Sequence, residues 1–386
     1  MKGKRLVASM LALLLVVSLL PMAAMAEETT FSENNGIIAE GQEVTYNHAA
    51  NVTNYGTVTN NTWGSEESPL PVSIKENYGT VVNNGGNADD HKGTVENNHA
   101  GATVVNNKPT GIVKNNDGLV GKKDENGNLI TNGPSGNSGK VENNQQGGVV
   151  VNNSGGIVLN NYSTGDGTNP GVINNGGTVS VNNGTVDNFA GQVYSNTTGG
   201  KILNNYGTVG ARPEPEDTAV PSPSNLGTVE TNHMSGWVTN NVTGDNGYGE
   251  GRVNTNYGTV CQIEKSGTLT YYYGLHGEDE NKETDTKYTE EGYSLGHTAG
   301  AEVNLDDTAA SYQREGYKLS SYTVWTYDEA STADDKLVQQ TVADRTKYTI
   351  NAPTLLKLFW EKIVTAVAPS ASSGGGAEAV PTSYTP

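Results

Sequence analysis

Apolar residues along most of this chain return singly, at short intervals, inside a phrase of the form Gly-Thr-Val-x-Asn-Asn. Residues 79–84, 93–98, 139–144, 156–161, 200–205 and 236–241 are clear copies, and variants run from about Asn34 to Cys261. Most copies restart after seven to nine residues, the length of one strand plus one turn. A chain that repeats one strand and one turn predicts a solenoid rather than a compact globule.

Each slot of the phrase has its own chemistry. The third holds Val58, Val81, Val95, Val104, Val113, Val141, Val150, Val158, Val186, Ile202, Val209, Val229, Val238, Val253 and Val260. It is β-branched throughout and never charged, so it points inward. The second slot takes Thr57, Thr94, Lys140, Lys201, Trp237 and Arg252; the fourth takes Thr59, Glu96, Lys114, Glu142 and Thr239. Those two slots tolerate charge and point outward, as strand alternation requires. Alternation also puts the first Asn on the valine face. There it would bond to its counterpart about 4.8 Å away in the next coil, forming an amide ladder. The second Asn and the following Gly suit a left-handed corner. Asn-Gly pairs can also mark antiparallel hairpins, but every unit reads in one orientation with the same inward slot, which favours coils. Asn-Tyr-Gly-Thr-Val recurs at Asn54 and Asn77, 23 residues apart. That spacing predicts a parallel β-helix with about three short strands per coil.

The flanks differ from the repeat. Lys2, Lys4 and Arg5, an apolar stretch over residues 6–20 and Ala24-Met25-Ala26 have the layout of a secretory signal, 1–26. The mature chain is then extracellular, with no stable membrane insertion once the signal is removed. Residues 27–50 read as an irregular N-terminal cap and 51–261 as the solenoid, with a Pro-rich loop at 211–225. Other long insertions are 63–71 and 121–138. After Cys261 the Asn pairs stop, tyrosines and acidic residues rise, and alternating stretches read as strands of a second module, 262–366. Residues 367–386, rich in Ala, Ser, Gly and Pro, read as a flexible tail. The chain shows no sorting signal or cell-wall-binding repeat. Its tail fits either an incomplete reading frame or non-covalent retention on a cell wall.

Two resemblances follow. Gly316-Tyr317-Lys318-Leu319, Trp325, Lys347-Tyr348-Thr349-Ile350 and residues 355–361 resemble the internalin-type B-repeat, also called the Listeria–Bacteroides repeat. That resemblance implies a small β-grasp-like module, common as a spacer in secreted proteins of Gram-positive bacteria. Residues 291–307 and the Tyr-rich first strand depart from its pattern. The Asn-rich part resembles Asn-Asn-Gly-Thr-Val arrays of secreted bacterial proteins.

Charge and chemistry narrow the function. The formal charge is −19, or −22 without the three basic residues of the signal (−19 − 3), which disfavours nucleic acid as a partner. The single cysteine, Cys261, excludes an internal disulfide and sits in an outward slot, where it is either a solvent-side residue or a thiol for dimerisation. Glu96 and Glu142 are the outward carboxylates that a polysaccharide lyase or hydrolase would need, yet each also reads as solvated surface. The histidines His48, His91, His99, His233, His276 and His297 form no metal pattern, and no nucleophile elbow or phosphate loop is present. Asp124, Asn126 and Asn128 begin like a calcium loop but lack its closing Glu; turn chemistry accounts for them and for residues 244–247. No catalytic residue, metal or cofactor is therefore expected. Trp237 is the candidate ligand contact, an indole in an outward slot suited to stacking on sugar, or to packing beneath the Pro-rich loop. Tyr55, Tyr78, Tyr206 and Tyr257, each after an Asn, are expected to stack on one another at a corner. The chain thus reads as a secreted or cell-surface structural, adhesin-like protein binding surface glycan or a host or matrix protein weakly. A polysaccharide-degrading β-helix enzyme and a dedicated carbohydrate-binding module are the alternatives.

Overall fold

The inward valines are the frame on which the chain folds. The computed structural model describes residues 29–62, 72–87, 92–131, 134–151, 155–173, 175–213, 224–242, 250–264, 266–280 and 295–363. The signal segment, the insertion 63–71, the pair Asn152–Asn153, residues 244–247 and the tail 367–386 lie outside them. Every third-slot residue named above is fully buried, and together they form one column from Ile38 to Val260. Each contributes roughly 1.5–3 kcal/mol of burial.

The column is enclosed by two parallel sheets of 13 and 14 strands. Consecutive strands alternate between the sheets, as Val52–Asn54 and Thr57–Asn61 do. A coil therefore has two strands, not the three that the 23-residue spacing suggested. The first sheet has 12 levels, because one strand lies off its path (13 − 1), and the second has 12 parallel levels before two antiparallel strands (14 − 2). Short coils step only 13 or 14 residues, as from Asn175 to Asn188 and from Asn182 to Asn196. The step from Asn54 to Asn77 is such a coil lengthened by the insertion at 63–71.

The amide ladder is present, on the other asparagine. Burial along Thr80–Asn84 and its equivalents falls on the Val and on the second Asn, three residues later. Strands with this burial pattern bend after the fourth slot. Two successive residues then lie on the convex side, and the second Asn turns inward. One inner row links Asn54, Asn77, Asn98, Asn116, Asn144, Asn161, Asn182 and Asn196, at 2.7–2.9 Å per step. The first Asn is half-buried and builds a second, outer row, as in Asn83 to Asn60 and Asn143 to Asn115, both 3.1 Å. Regular alternation is kept in Val52–Asn54 and Thr185–Asn188, where the inner Asn follows the Val by two residues, and returns at the end, where Asn240 and Gln262 are the inward members of Trp237–Asn241 and Thr259–Ile263.

The corner glycines are of two kinds: Gly85, directly after an inner Asn, has the expected left-handed φ of 75°, but those that open the phrase do not. Gly79, Gly93 and Gly111 do not have positive φ. A Cβ on each would instead overlap the carbonyl oxygen of Gly56, Asn61 or Asn84 in the preceding coil. Close approach of backbones, not a left-handed turn, selects glycine there. Among non-glycine residues described, only Asn35, Asn51 and Lys336 have positive φ.

Residues 29–50, expected to be irregular, already carry Thr30–Phe31, Ile37–Ile38 and Glu43–Asn47 in coil register with later strands. The insertions at 121–135 and 211–224 each leave the coil after an inward Val (Val120, Val209) and return before an inner Asn (Asn137, Asn225). Each replaces the bend and keeps the ladder. Both sheets continue past the Pro-rich insertion, so it is a bulge within one stack. Leu129 from the first insertion covers an outward apolar patch of Leu119, Val149, Val151 and Ile173.

Leu269–Tyr273 folds back antiparallel on Thr259–Ile263, extending the second sheet of the solenoid. Beyond it, a four-stranded mixed sheet places Leu275–Asp279 parallel to Thr354–Lys362, with Tyr317–Tyr327 antiparallel to the latter and Leu337–Gln340 at the edge. Asn304 caps the helix Leu305–Ser311, accepting from the amides of Asp306 and Asp307. Leu305 and Ala309 pack on Tyr322, Val324, Leu356 and Leu358. Alternation leaves His276, Glu278, Leu355, Lys357, Trp325 and Tyr327 on the opposite face.

Candidate functional site

The residue after each inner Asn sits at a corner, so rings in that position stack along the axis. Tyr55, Tyr78 and His99 are nearly parallel at 5.0 and 4.2 Å, and His99 also meets Glu76 at 2.6 Å. On the opposite edge Tyr206 and His233 stack at 3.8 Å. There the row opens: Tyr257 is 6.4 Å from His233 and tilted, and leans instead on His276 at 4.4 Å. Stacked rings cover one another's faces, so the first row is a structural spine. The second ends in a cleft.

This cleft lies between the last coils and the face of the mixed sheet turned away from its helix. Its larger part encloses about 730 Å³, with Tyr206, His233 and Tyr257 on the coil side and His276, Tyr327 and Lys357 on the sheet side. A smaller part of about 420 Å³ continues past Met234, Ser235 and Tyr327 to Trp237 and Tyr273. Arg212 ties the two walls together through a 2.9 Å ion pair with Glu329. The lining is acidic, with Glu278, Glu280 and Asp335 against the ammonium of Lys357. Asp279 is neutralised by Arg314 at 2.6 Å, both side chains being buried. His276 is only 4 % exposed; its Nε2 lies 3.5 Å from Glu278, and its Nδ1 is buried without a hydrogen-bond partner. Burial holds His233 below the usual imidazole range, reinforced by His276 and opposed by Glu278. Burial likewise raises the Tyr206 phenol, with Asp187 and Glu278 adding to it.

Trp237 lines the smaller part of the cleft but is no bare platform. The Arg212 guanidinium stands over its ring at 5.0 Å, Tyr271 meets it edge-on, and its Nε1 donates to Thr239 at 3.0 Å. The start of the Pro-rich insertion thus packs on the indole, as the carbonyl of Ala211 accepting from Thr239 also shows.

The other singled-out residues are dispersed. Glu96 pairs with Lys114 at 2.8 Å and Glu142 with Lys140 at 3.0 Å on the outer face of the second sheet. The Asp124 carboxylate accepts the amides of Asn128 and Asn126 within its own turn, which lowers its pKa. Among the described residues no group of three metal-ligating side chains forms, and no helix is long and apolar enough to cross a membrane. Cys261, read as an outward residue, is in fact fully buried beside its cross-strand partner Tyr271 on the adjoining antiparallel strand, and burial pushes its thiol up to about 11. Its outward slot is covered, so it cannot reach a second chain. The acidic residues of the cleft were not singled out in sequence, and His276 was read only as one of six scattered histidines, because they belong to a module without a periodic pattern. Comparison with family models, curated proteins and solved structures gave no match.

Proposed function

We propose that this is a secreted or cell-surface structural, adhesin-like protein: a rigid β-solenoid that holds out a weak binding site for glycan or a host or matrix protein. We read its Asn-rich part as one of the Asn-Asn-Gly-Thr-Val arrays of secreted Gram-positive proteins. We read 262–366 as a B-repeat-like β-grasp spacer, which its mixed sheet and single packed helix support. The observation that carries the proposal is the continuous inner row of amides. It fixes every coil to the next, and so suits a task of display rather than of conformational change. The pairing of Glu96 and Glu142 with lysines supports display over catalysis, since a general acid or base needs a carboxylate directed at substrate.

The cleft favours a second reading, a carbohydrate-binding module, because aromatic walls with a few polar groups suit sugars. The test is to incubate the mature protein with neutral, amino and uronic-acid polysaccharides and with matrix proteins, measuring both binding and release of reducing or unsaturated ends. Saturable binding without release is expected. Turnover lost on changing one outward carboxylate would replace this proposal with the enzyme.

A further inference from the structure

We infer that the cleft between the last coils and the mixed sheet is a composite binding site for an amino-sugar oligomer, a glycan bearing free ammonium groups. This rests on the reading of the chain as a glycan binder and names the site and the sugar class.

The volume, about 730 Å³, lies within the ~300–1,000 Å³ usual for small-ligand sites, and junctions between structural units are where such sites concentrate. Neither wall suffices alone. The coil contributes Tyr206, His233 and Tyr257; the sheet contributes His276, Glu278 and Tyr327. Tyr257 has left the coil stack to lean on His276, so the aromatic row opens at the place where the two walls meet.

Charge selects the ligand. Among the described residues the lining presents the carboxylates of Glu278, Glu280 and Asp335 against one ammonium, in a protein of formal charge −19. A uronic acid would be repelled and an ammonium attracted. The floor is acceptor-rich as well. Glu278 faces Nε2 of His276, which places the ring proton there and leaves Nδ1 as a lone pair without a partner. A buried polar atom left so is uncommon, and its ring is part of the cleft lining. Aromatic edges, carboxylates and a bare imidazole acceptor together match a ligand with apolar C–H faces and many N–H and O–H donors.

The experiment titrates the full mature chain with glucosamine oligomers, with the same oligomers N-acetylated, and with oligogalacturonate, by calorimetry and tryptophan fluorescence. Saturable binding of the glucosamine oligomer is expected, weakened by salt and absent for oligogalacturonate. Glu278→Gln, which keeps shape and removes charge, should weaken it roughly tenfold, the factor of one charge-assisted hydrogen bond. Tyr327→Ala should weaken it too, with an unchanged melting temperature as its folding control, and the distant Glu96→Gln should have no effect. Glucosamine binding indifferent to Glu278→Gln overturns the site. Binding only of neutral or acidic glycans overturns the sugar class and leaves the proposed function standing. Failure to bind any glycan overturns this inference and the glycan reading together.

Discussion

An inner asparagine uses everything its amide has. Asn182 donates to Asn196 at 2.8 Å and to the carbonyl of Lys201 at 3.4 Å, and accepts from Asn161 at 2.8 Å and from the amide of Gly184 at 3.1 Å. Two donors and two acceptor positions are thereby filled, which is why a fully buried amide is tolerated at every level. Losing one such residue strands its neighbours. Asn144→Leu removes the partner of both Asn116 and Asn161 and should cost about 1–3 kcal/mol for each group left unsatisfied. Asn143→Ala breaks two bonds, one to Asn115 and one from Asn160, but both lie in the half-buried outer row, where water can replace them, so it should cost less than about 1 kcal/mol. Denaturant melts of the two variants check this, and equal losses would contradict the assignment of inner and outer rows. Valine's inward direction was legible because one slot refused charge while its neighbours accepted it. The Asn direction was not, because both asparagines of the pair have the same composition. Only the bend, which sequence does not mark, decides which of them turns in.

At the scale of elements, the strand-and-turn unit was readable but the number of units per coil was not. Insertions such as 63–71 lengthen a two-strand coil until its spacing mimics three. The corner rows show the same limit. Tyrosine after Asn suggested tyrosine stacks; Tyr55 and Tyr78 do stack, but Tyr206 stacks on His233 and Tyr257 tilts away, and the histidines in these rows carried no pattern of their own. His233 gives this row a pH dependence. Its folded-state pKa lies below the ordinary value, mainly through burial, so the unfolded chain binds the proton more readily. The stability it contributes is intact above about pH 6.5, the unperturbed value. It is lost as pH falls from there toward the depressed folded value. His233→Phe keeps the ring on Tyr206 and removes the charge, so the variant should lose less stability than the parent between neutral and mildly acidic pH. Thermal melts across that range measure it, and parallel pH curves for the two proteins would refute it.

For the whole molecule, 12 coils at about 4.8 Å each make a rod of roughly 55–60 Å, closed at one end by the mixed sheet. Small-angle scattering of the mature chain should return a particle at least that long. A compact sphere would contradict the coil count. The cleft at the closed end was not readable in sequence, because its walls come from residues as far apart as Tyr206 and Lys357. The amide rows also have a direction. In the inner row each N–H points to the next coil, as in Asn54 to Asn77; in the outer row it points back, as in Asn83 to Asn60. Where both rows run side by side, over coils such as those of Asn60–Asn84 and Asn115–Asn144, their dipoles oppose and largely cancel. The inner row of the second sheet continues alone to Gln262, whose amide donates to the carboxylate of Glu264 at 2.9 Å. The rod is thus electrically polar along its axis, and an acidic side chain stands at the positive pole, as it would at the first turn of an α-helix.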